Sequence, residues 1–166
     1  MEERRQRTLL LMADDDADDC MLMKNAIREI FRSDNFHCLP DGQELMDYLN
    51  RRGAYQDPAE FPLPDLILLD LNMPRKDGFK ALQEIKENPD LRCIPVVIYT
   101  TSRAQEQIEL SYSLGANSYI VKPMTFEDLV KCLKCMADYW FTVVRLPFHE
   151  RALPCRSCAP ASDCEV

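Results

Sequence analysis

Apolar residues along this chain follow two rhythms. Short aliphatic or β-branched runs at residues 8–13, 35–39, 66–69, 94–99 and 118–121 alternate with longer stretches in which apolar side chains return every three or four positions. Runs of that length read as strands buried on both faces, and the intervening period reads as amphipathic helix. The alternation therefore predicts five βα units and an α/β fold with a doubly wound parallel sheet. The run at 35–39, Asn-Phe-His-Cys-Leu, is the poorest in strand formers.

The helical stretches carry their own start and stop signals. Residues 18–31 put Met21, Leu22, Ala26, Ile27 and Ile30 on one stripe, and residues 43–49 do the same with Leu45, Met46 and Leu49. Residues 79–86 group Ala81, Leu82 and Ile85 ahead of Pro89, and residues 105–114 end at Gly115, which suits the left-handed position after a helix. A last helix starts at a Thr125 cap, with Asp128 three positions on, and its apolar residues Leu129, Leu133, Met136 and Trp140 carry it to about Val144. Residues 51–64 hold Gly53, Pro58, Pro62 and Pro64 and predict a surface loop. From Pro147 the large aliphatics thin out in favour of Pro, Cys, Ser and Ala, so the expected division is an arm at 1–7, one folded domain at 8–146 and a poorly ordered tail at 147–166.

Composition narrows the functions open to such a domain. With 166 residues, 46% of them apolar, the chain has material for one core. Its net charge of −8 argues against nucleic acid as a partner, because phosphate-backbone binding needs clustered Lys and Arg. Arg4, Arg5 and Arg7 precede an apolar run at 9–13 that is too short for a signal segment or a spanning helix, so no membrane partner and a cytoplasmic location are expected. Eight cysteines in this length fall below the density of a disulfide scaffold. Cys20, Cys38, Cys93, Cys132 and Cys135 are expected as free thiols acting as small hydrophobes. Cys132 and Cys135 with Cys155 and Cys158 have spacing open to a four-thiolate zinc site, but the incidental reading is preferred.

Candidate chemistry gathers where such sheets bind ligands, beyond the carboxyl ends of the strands. Asp14, Asp15 and Asp16 follow the first run, Asp70 the third, Thr100, Thr101 and Ser102 the fourth, and Lys122 the fifth. Carboxylates crowded together resist ionising, and a divalent cation with oxygen ligands, Mg²⁺ by preference, relieves them. Asp70 could then attack a phosphoryl group while Lys122 and the Thr100 hydroxyl stabilise its equatorial oxygens, giving an aspartyl phosphate. A helix-capping turn explains part of the acidic run, and Asp18 and Asp19 are assigned to that role near the first helix's positive end. A calcium loop read from Asp14 fails for want of Gly at Asp19 and Glu at Asn25, no phosphate-binding glycine motif is present, and His37 and His149 lie away from these strand ends.

Asp14-Asp15-Asp16, Leu69-Asp70-Leu71-Asn72-Met73-Pro74 with Asp77-Gly78, Tyr99-Thr100-Thr101-Ser102 and Tyr119-Ile120-Val121-Lys122-Pro123 together resemble the marks of a response-regulator receiver domain over about residues 8–146. The resemblance implies a flavodoxin-like (βα)5 sheet in the order 2-1-3-4-5. It implies Asp70 as phosphoacceptor, Asp14 and Asp15 as metal-binding acids beside it, and the backbone carbonyl of Asn72 as a further Mg²⁺ ligand. Thr100 and Tyr119 would be the switch pair, Thr101 and Lys122 would border the phosphoryl group, and the Lys122–Pro123 bond would be a structural cis peptide. The surface of the fourth helix, fifth strand and fifth helix would change with phosphorylation. Ala17 stands where the family frequently has proline.

Residues 147–166 are few and loop-like in composition, so no output domain is expected after the fifth helix. Arg52-Gly53-Ala54-Tyr55, Pro64-Asp65-Leu66 and the stretch from Tyr139 to Pro147 are similar to stand-alone receivers that partner bacterial phytochrome-type histidine kinases. That likeness implies a sensor histidine kinase as partner, a histidine phosphotransfer protein as a further one, and a homodimer through the C-terminal elements, where Tyr139 to Val144 read equally as core. The protein is expected to be a signalling phosphoacceptor and no metabolic enzyme. One alternative is a receiver fold that binds without phosphorylation. Another is a phosphatase of the haloacid-dehalogenase type, which is disfavoured because Asn72 stands where that family needs a second Asp.

Overall fold

The computed structural model describes residues 8–31 and 35–147. Five parallel strands, β1 (Leu10–Ala13), β2 (Phe36–Leu39), β3 (Leu66–Leu69), β4 (Val96–Thr100) and β5 (Ser118–Val121), form one sheet in the order β2-β1-β3-β4-β5. The helices between and after them are α1 (Ala17–Phe31), α2 (Gly42–Leu49), α3 (Gly78–Glu87), α4 (Gln105–Ser113) and α5 (Phe126–Asp138). This is the predicted fold and strand order. No helix among the described residues is long and apolar enough to cross a membrane.

Side-chain alternation along the strands divides the core in two. Leu10, Met12, Leu66, Leu68, Val97 and Tyr99 face α1 and α5, where they meet Met23, Ala26, Ile27, Leu129, Leu133 and Met136. Leu11, Ala13, Ile67, Leu69 and Ile98 face the other way, onto Leu45, Met46 and Leu49 of α2 and Ala81, Leu82 and Ile85 of α3. Both faces of β1, β3 and β4 are buried, which is why those runs are apolar without interruption. α4 buries only Ser111 and lies more openly than the others.

Helix ends follow the local signals closely. Asp41 caps α2, its Oδ1 accepting from the backbone N–H groups of Gln43 and Glu44 at 2.8 and 2.9 Å. Asp77 caps α3 and Thr125 caps α5 through the backbone N–H groups of Lys80 and Asp128. Past α4, Gly115 takes a φ of 95° while Ala116 N–H donates to Ser111 O and Gly115 N–H to Tyr112 O.

Other expectations are corrected. α5 stops at Asp138, and Tyr139–Val143 form a wider π turn that buries Phe141 and leaves Tyr139 and Val143 53% and 69% exposed, so the aromatic stretch divides between core and surface. β4 sits two residues past the expected start, because Pro95 cannot donate to the ladder and Val96 opens it. The expected surface loop after α2 contains a short 3₁₀ turn, Gly53–Tyr55. Cys20 and Cys38 are joined in a disulfide with Cα atoms 6.0 Å apart, against the expectation of free thiols, because the first turn of α1 packs beside β2. Cys132 and Cys135 are free thiols, as expected. The arm at 1–7, Cys155, Cys158 and His149 lie outside the described residues, as does the tail beyond Pro147.

His37 on β2 lies half-buried beside Tyr48 and Phe61, ring centroids 6.0 and 6.5 Å away. Burial, and then the positive charge of Lys24, lowers its pKa from the ordinary histidine value. As pH falls below about 6.5 the unfolded chain therefore takes this proton first, and stability present above that pH is lost as it falls through the folded value. His37→Asn is expected to shrink the fall in urea midpoint between about pH 7.5 and pH 5.5; equal falls in variant and wild type would refute it.

Candidate functional site

Parallel register brings the acidic residues together. Ala13 pairs with Leu69 across β1 and β3, so the next residues, Asp14 and Asp70, leave the sheet side by side, with Asp70 N–H donating to Ala13 O at 3.0 Å. Thr100 pairs with Val121 across β4 and β5, and Lys122 N–H extends that ladder to Thr100 O at 2.8 Å. Four strand ends thus aim their next polar side chain at one spot, the crevice where the chain order reverses between β1 and β3.

Within it the charges are closely packed. Asp14, 2% exposed, meets the Lys122 ammonium at 2.6 Å, and Asp70, 7% exposed, lies 3.6 Å from the same nitrogen. Asp15 is exposed, and carboxylate oxygens of Asp14, Asp15 and Asp70 fall within 4.8 Å of one another. Burial pushes the Asp14 carboxyl up to about 6 despite hydrogen bonds from Lys122 and the Asp16 backbone, with Asp70 adding repulsion. Burial alone would lower Lys122, but the surrounding carboxylates outweigh it and hold the ammonium above the ordinary lysine range. The Lys122 nitrogen also lies 5.8 Å from the centroid of the Tyr99 ring.

The β3–α3 loop completes the cradle. Leu71 N–H donates to Asp70 Oδ1 at 2.8 Å and fixes the carboxylate's direction. Gly78 N–H returns to Leu71 O at 3.0 Å and closes the loop onto itself. A side chain at Gly78 would place its Cβ 2.1 Å from Asp70 O, so close backbone approach requires glycine here. Asn72, whose carbonyl was the expected metal ligand, is exposed at the start of this loop.

Three sequence-based assignments change. Asp19 is no mere capping residue: it donates its charge to the pocket, with Oδ2 2.7 Å from Lys122 Nζ. Asp16 does the capping, its Oδ1 accepting from Asp18 and Asp19 N–H. The available signal was position alone: Asp19 falls in the first turn of α1, directly after the strand end that carries Asp14. The Lys122–Pro123 bond is not cis, as no cis peptide occurs among the described residues. The trans form is the intrinsically favoured one, and Lys122 reaches both carboxylates from it.

Thr100 and Thr101 separate clearly. Thr100 is fully buried and its hydroxyl has no hydrogen-bond partner among the described residues, whereas Thr101 is exposed. Tyr119 is half-buried on β5, its hydroxyl donating to Ser102 O at 3.2 Å. A buried hydroxyl without a partner is destabilising. Thr100→Val, which keeps the shape and removes the oxygen, is expected to raise stability by about 1 kcal/mol, read as a higher denaturant midpoint; a lower midpoint would show that the hydroxyl has a partner.

A crowd of carboxylate oxygens around one ammonium, with a buried hydroxyl still lacking an acceptor, suits a hard divalent cation together with an oxyanion. Comparison with known proteins agrees. Over 146 residues the chain is 36% identical to response regulator Rcp1 of Synechocystis sp., spanning 88% of this chain and 97% of that protein. The crystal structure of the phosphorylated cyanobacterial phytochrome response regulator RcpA matches with a TM-score of 0.78 and 36% identity over 85% of this chain and 99% of that one. The Mn²⁺-bound form of Rcp1 matches with a TM-score of 0.76 and 37% identity over 85% and 99% of the two chains. The family model of the response regulator receiver domain covers residues 10–134, and on fold, site and relatives alike the chain belongs to that family, the receiver-domain response regulators of two-component signalling.

Proposed function

We propose that Asp70 is the phosphoacceptor of this receiver and that a sensor histidine kinase, of phytochrome type, is its phosphoryl donor. The observation that carries the reading is the convergence of Asp14, Asp70 and Lys122, from three strands, beside the partnerless Thr100 hydroxyl. An Asp70 oxygen forms the new O–P bond as the P–N bond of phosphohistidine breaks, and that bond's electron pair leaves with the imidazole. The departing ring is neutral when its other nitrogen carries a proton. Lys122, already poised between Asp14 and Asp70, takes up charge on the transferred oxygens, and the Thr100 hydroxyl gains an acceptor there.

Asp14, Asp15, Asp70 and the Asn72 carbonyl are the groups that would hold Mg²⁺. When bound, the ion offsets the repulsion between the carboxylates and the incoming dianion. Movement of Thr100 toward the phosphoryl group would free space for the Tyr119 ring, which would release its bond to Ser102 O and alter the α4–β5–α5 surface, with Thr101 at the exposed rim. On this reading the protein is a cytoplasmic signalling module and no metabolic enzyme. Its output is that surface, presented to a histidine phosphotransfer protein or to a second copy through α5 and the π turn.

Intact mass after incubation with phosphoramidate, with and without Mg²⁺, tests the proposal. A metal-dependent gain of one phosphoryl group on the wild type and none on Asp70→Asn is the expected result. No gain on the wild type, or equal gain on both, would overturn it.

A further inference from the structure

The loop that follows Asp70 is held from outside the pocket by a contact that the phosphoryl chemistry leaves unexplained. Arg75 adopts a φ of 60°, in the left-handed region that a non-glycine residue seldom takes. Its guanidinium grips Asp41 through Nε, 2.6 Å from Oδ2, and through Nη2, and lies 3.5 Å from Glu44 Oε1. Asp41 is 2% exposed and spends its other oxygen capping α2. The neighbouring Lys76 O accepts from Gly42 N–H at 3.2 Å, an approach so close that a Cβ at Gly42 would fall 2.5 Å from that oxygen. Two consecutive loop residues are therefore fastened to the N-terminus of α2. Tyr55, at the end of the 3₁₀ turn, holds Glu44 in place with a 2.7 Å hydrogen bond.

We infer that Arg75, seated on Asp41 and Glu44, is a positioning residue that fixes the 71–77 loop against α2 and so sets how readily Asp70 accepts a phosphoryl group. Met73 seats one flank of the loop in the core, and the Lys76 ammonium pairs with Glu84 at 2.7 Å on the other. Between them Asn72, Pro74 and Arg75 are exposed, and the Arg75 side chain ties this tip to α2. Its first residues orient the Asp70 carboxylate through Leu71 N–H and present the Asn72 carbonyl, so displacement at the tip reaches both. Two guanidinium nitrogens converging on one buried carboxylate oxygen suit this task better than a point charge, because the planar group fixes direction as well as distance. This inference rests on the phosphoacceptor reading above.

The test separates side chain from backbone and latch from acceptor. The full chain is compared with Arg75→Gly, which suits the left-handed φ but removes the guanidinium, with Arg75→Lys, and with Asp41→Asn, which keeps the helix cap but removes the charge. Phosphoramidate-driven phosphorylation is followed across a Mg²⁺ series, and amide hydrogen exchange over residues 71–77 is followed without metal. Arg75→Gly and Asp41→Asn are expected to exchange faster in the loop and to phosphorylate about tenfold more slowly at low Mg²⁺, recovering most of the rate at saturating Mg²⁺. Arg75→Lys should lie between these variants and the wild type. Wild-type rate in Arg75→Gly, or unchanged loop exchange in both variants, would overturn the latch. A wild type that takes no phosphoryl group would instead overturn the acceptor reading, while the exchange data would still decide whether Arg75 holds the loop.

Discussion

Asp70→Asn is expected to lose all phosphoryl uptake and yet to fold more stably than the wild type. Around the Lys122 ammonium stand Asp14 at 2.6 Å, Asp19 at 2.7 Å and Asp70 at 3.6 Å, with Asp15 close by. One cation cannot balance that many carboxylates, and the repulsion is visible in Asp14, whose carboxyl is pushed up to about 6 chiefly by burial and further by Asp70. An asparagine would keep an oxygen for Leu71 N–H, which now donates at 2.8 Å, while removing the charge and the proposed nucleophile together. The gain in stability should be about 1 kcal/mol in buffer without divalent cations, and smaller once Mg²⁺ stabilises the wild type by binding it. Denaturant midpoints at neutral pH check the first half and intact mass the second. A variant less stable than the wild type would mean that Lys122 compensates Asp70 more fully than its 3.6 Å separation suggests.

Gly78→Ala has the largest expected cost to folding. The added Cβ would meet Asp70 O at 2.1 Å and Leu71 Cα at 2.8 Å, both backbone atoms that cannot rotate aside. Relief requires moving either the start of α3 or the end of β3, and each is fixed by Ala81, Leu82 and Ile85 on one side and by Leu68 and Leu69 on the other. Overpacking of this kind costs about 3 kcal/mol, and here it falls on the peptide of Asp70, the proposed acceptor. The expected result is a lower urea midpoint with phosphoryl uptake reduced in the fraction that remains folded. A midpoint within the error of the wild type would show that α3 can slide.

The fold was legible because its core strands are buried on both faces. Continuous aliphatic runs such as Leu66–Leu69, with helices of regular period between them, leave few other architectures. Asp14, Asp70, Thr100 and Lys122 could be named from the sequence because each directly follows or ends a strand, where period alone predicts position. What escaped depends on the third dimension. Asp19 turns toward Lys122 only because Asp16 takes over the cap, a local competition that composition does not decide. The Arg75 grip on Asp41 spans two loops with no shared periodicity, and the Cys20–Cys38 link joins residues whose separation of 18 carries no pairing signal. The break in α5 at Tyr139 escaped because apolar spacing continues smoothly through Trp140 while the backbone widens.

The Asp19–Lys122 contact joins residues 103 positions apart, so the pocket is closed by contacts that are distant in the chain. Contacts of such separation form late, after the loops between them have closed. A chain emerging from the ribosome therefore has its acidic residues and the strand that bears Asp70 well before the lysine that neutralises them. A fragment that stops short of β5 lacks Lys122, so the carboxylates that β1 and β3 bring side by side would have no ammonium between them. On the proposed function, full competence to take a phosphoryl group arrives together with the last strand, which would make the chemistry itself a report that synthesis and folding of the sheet are complete.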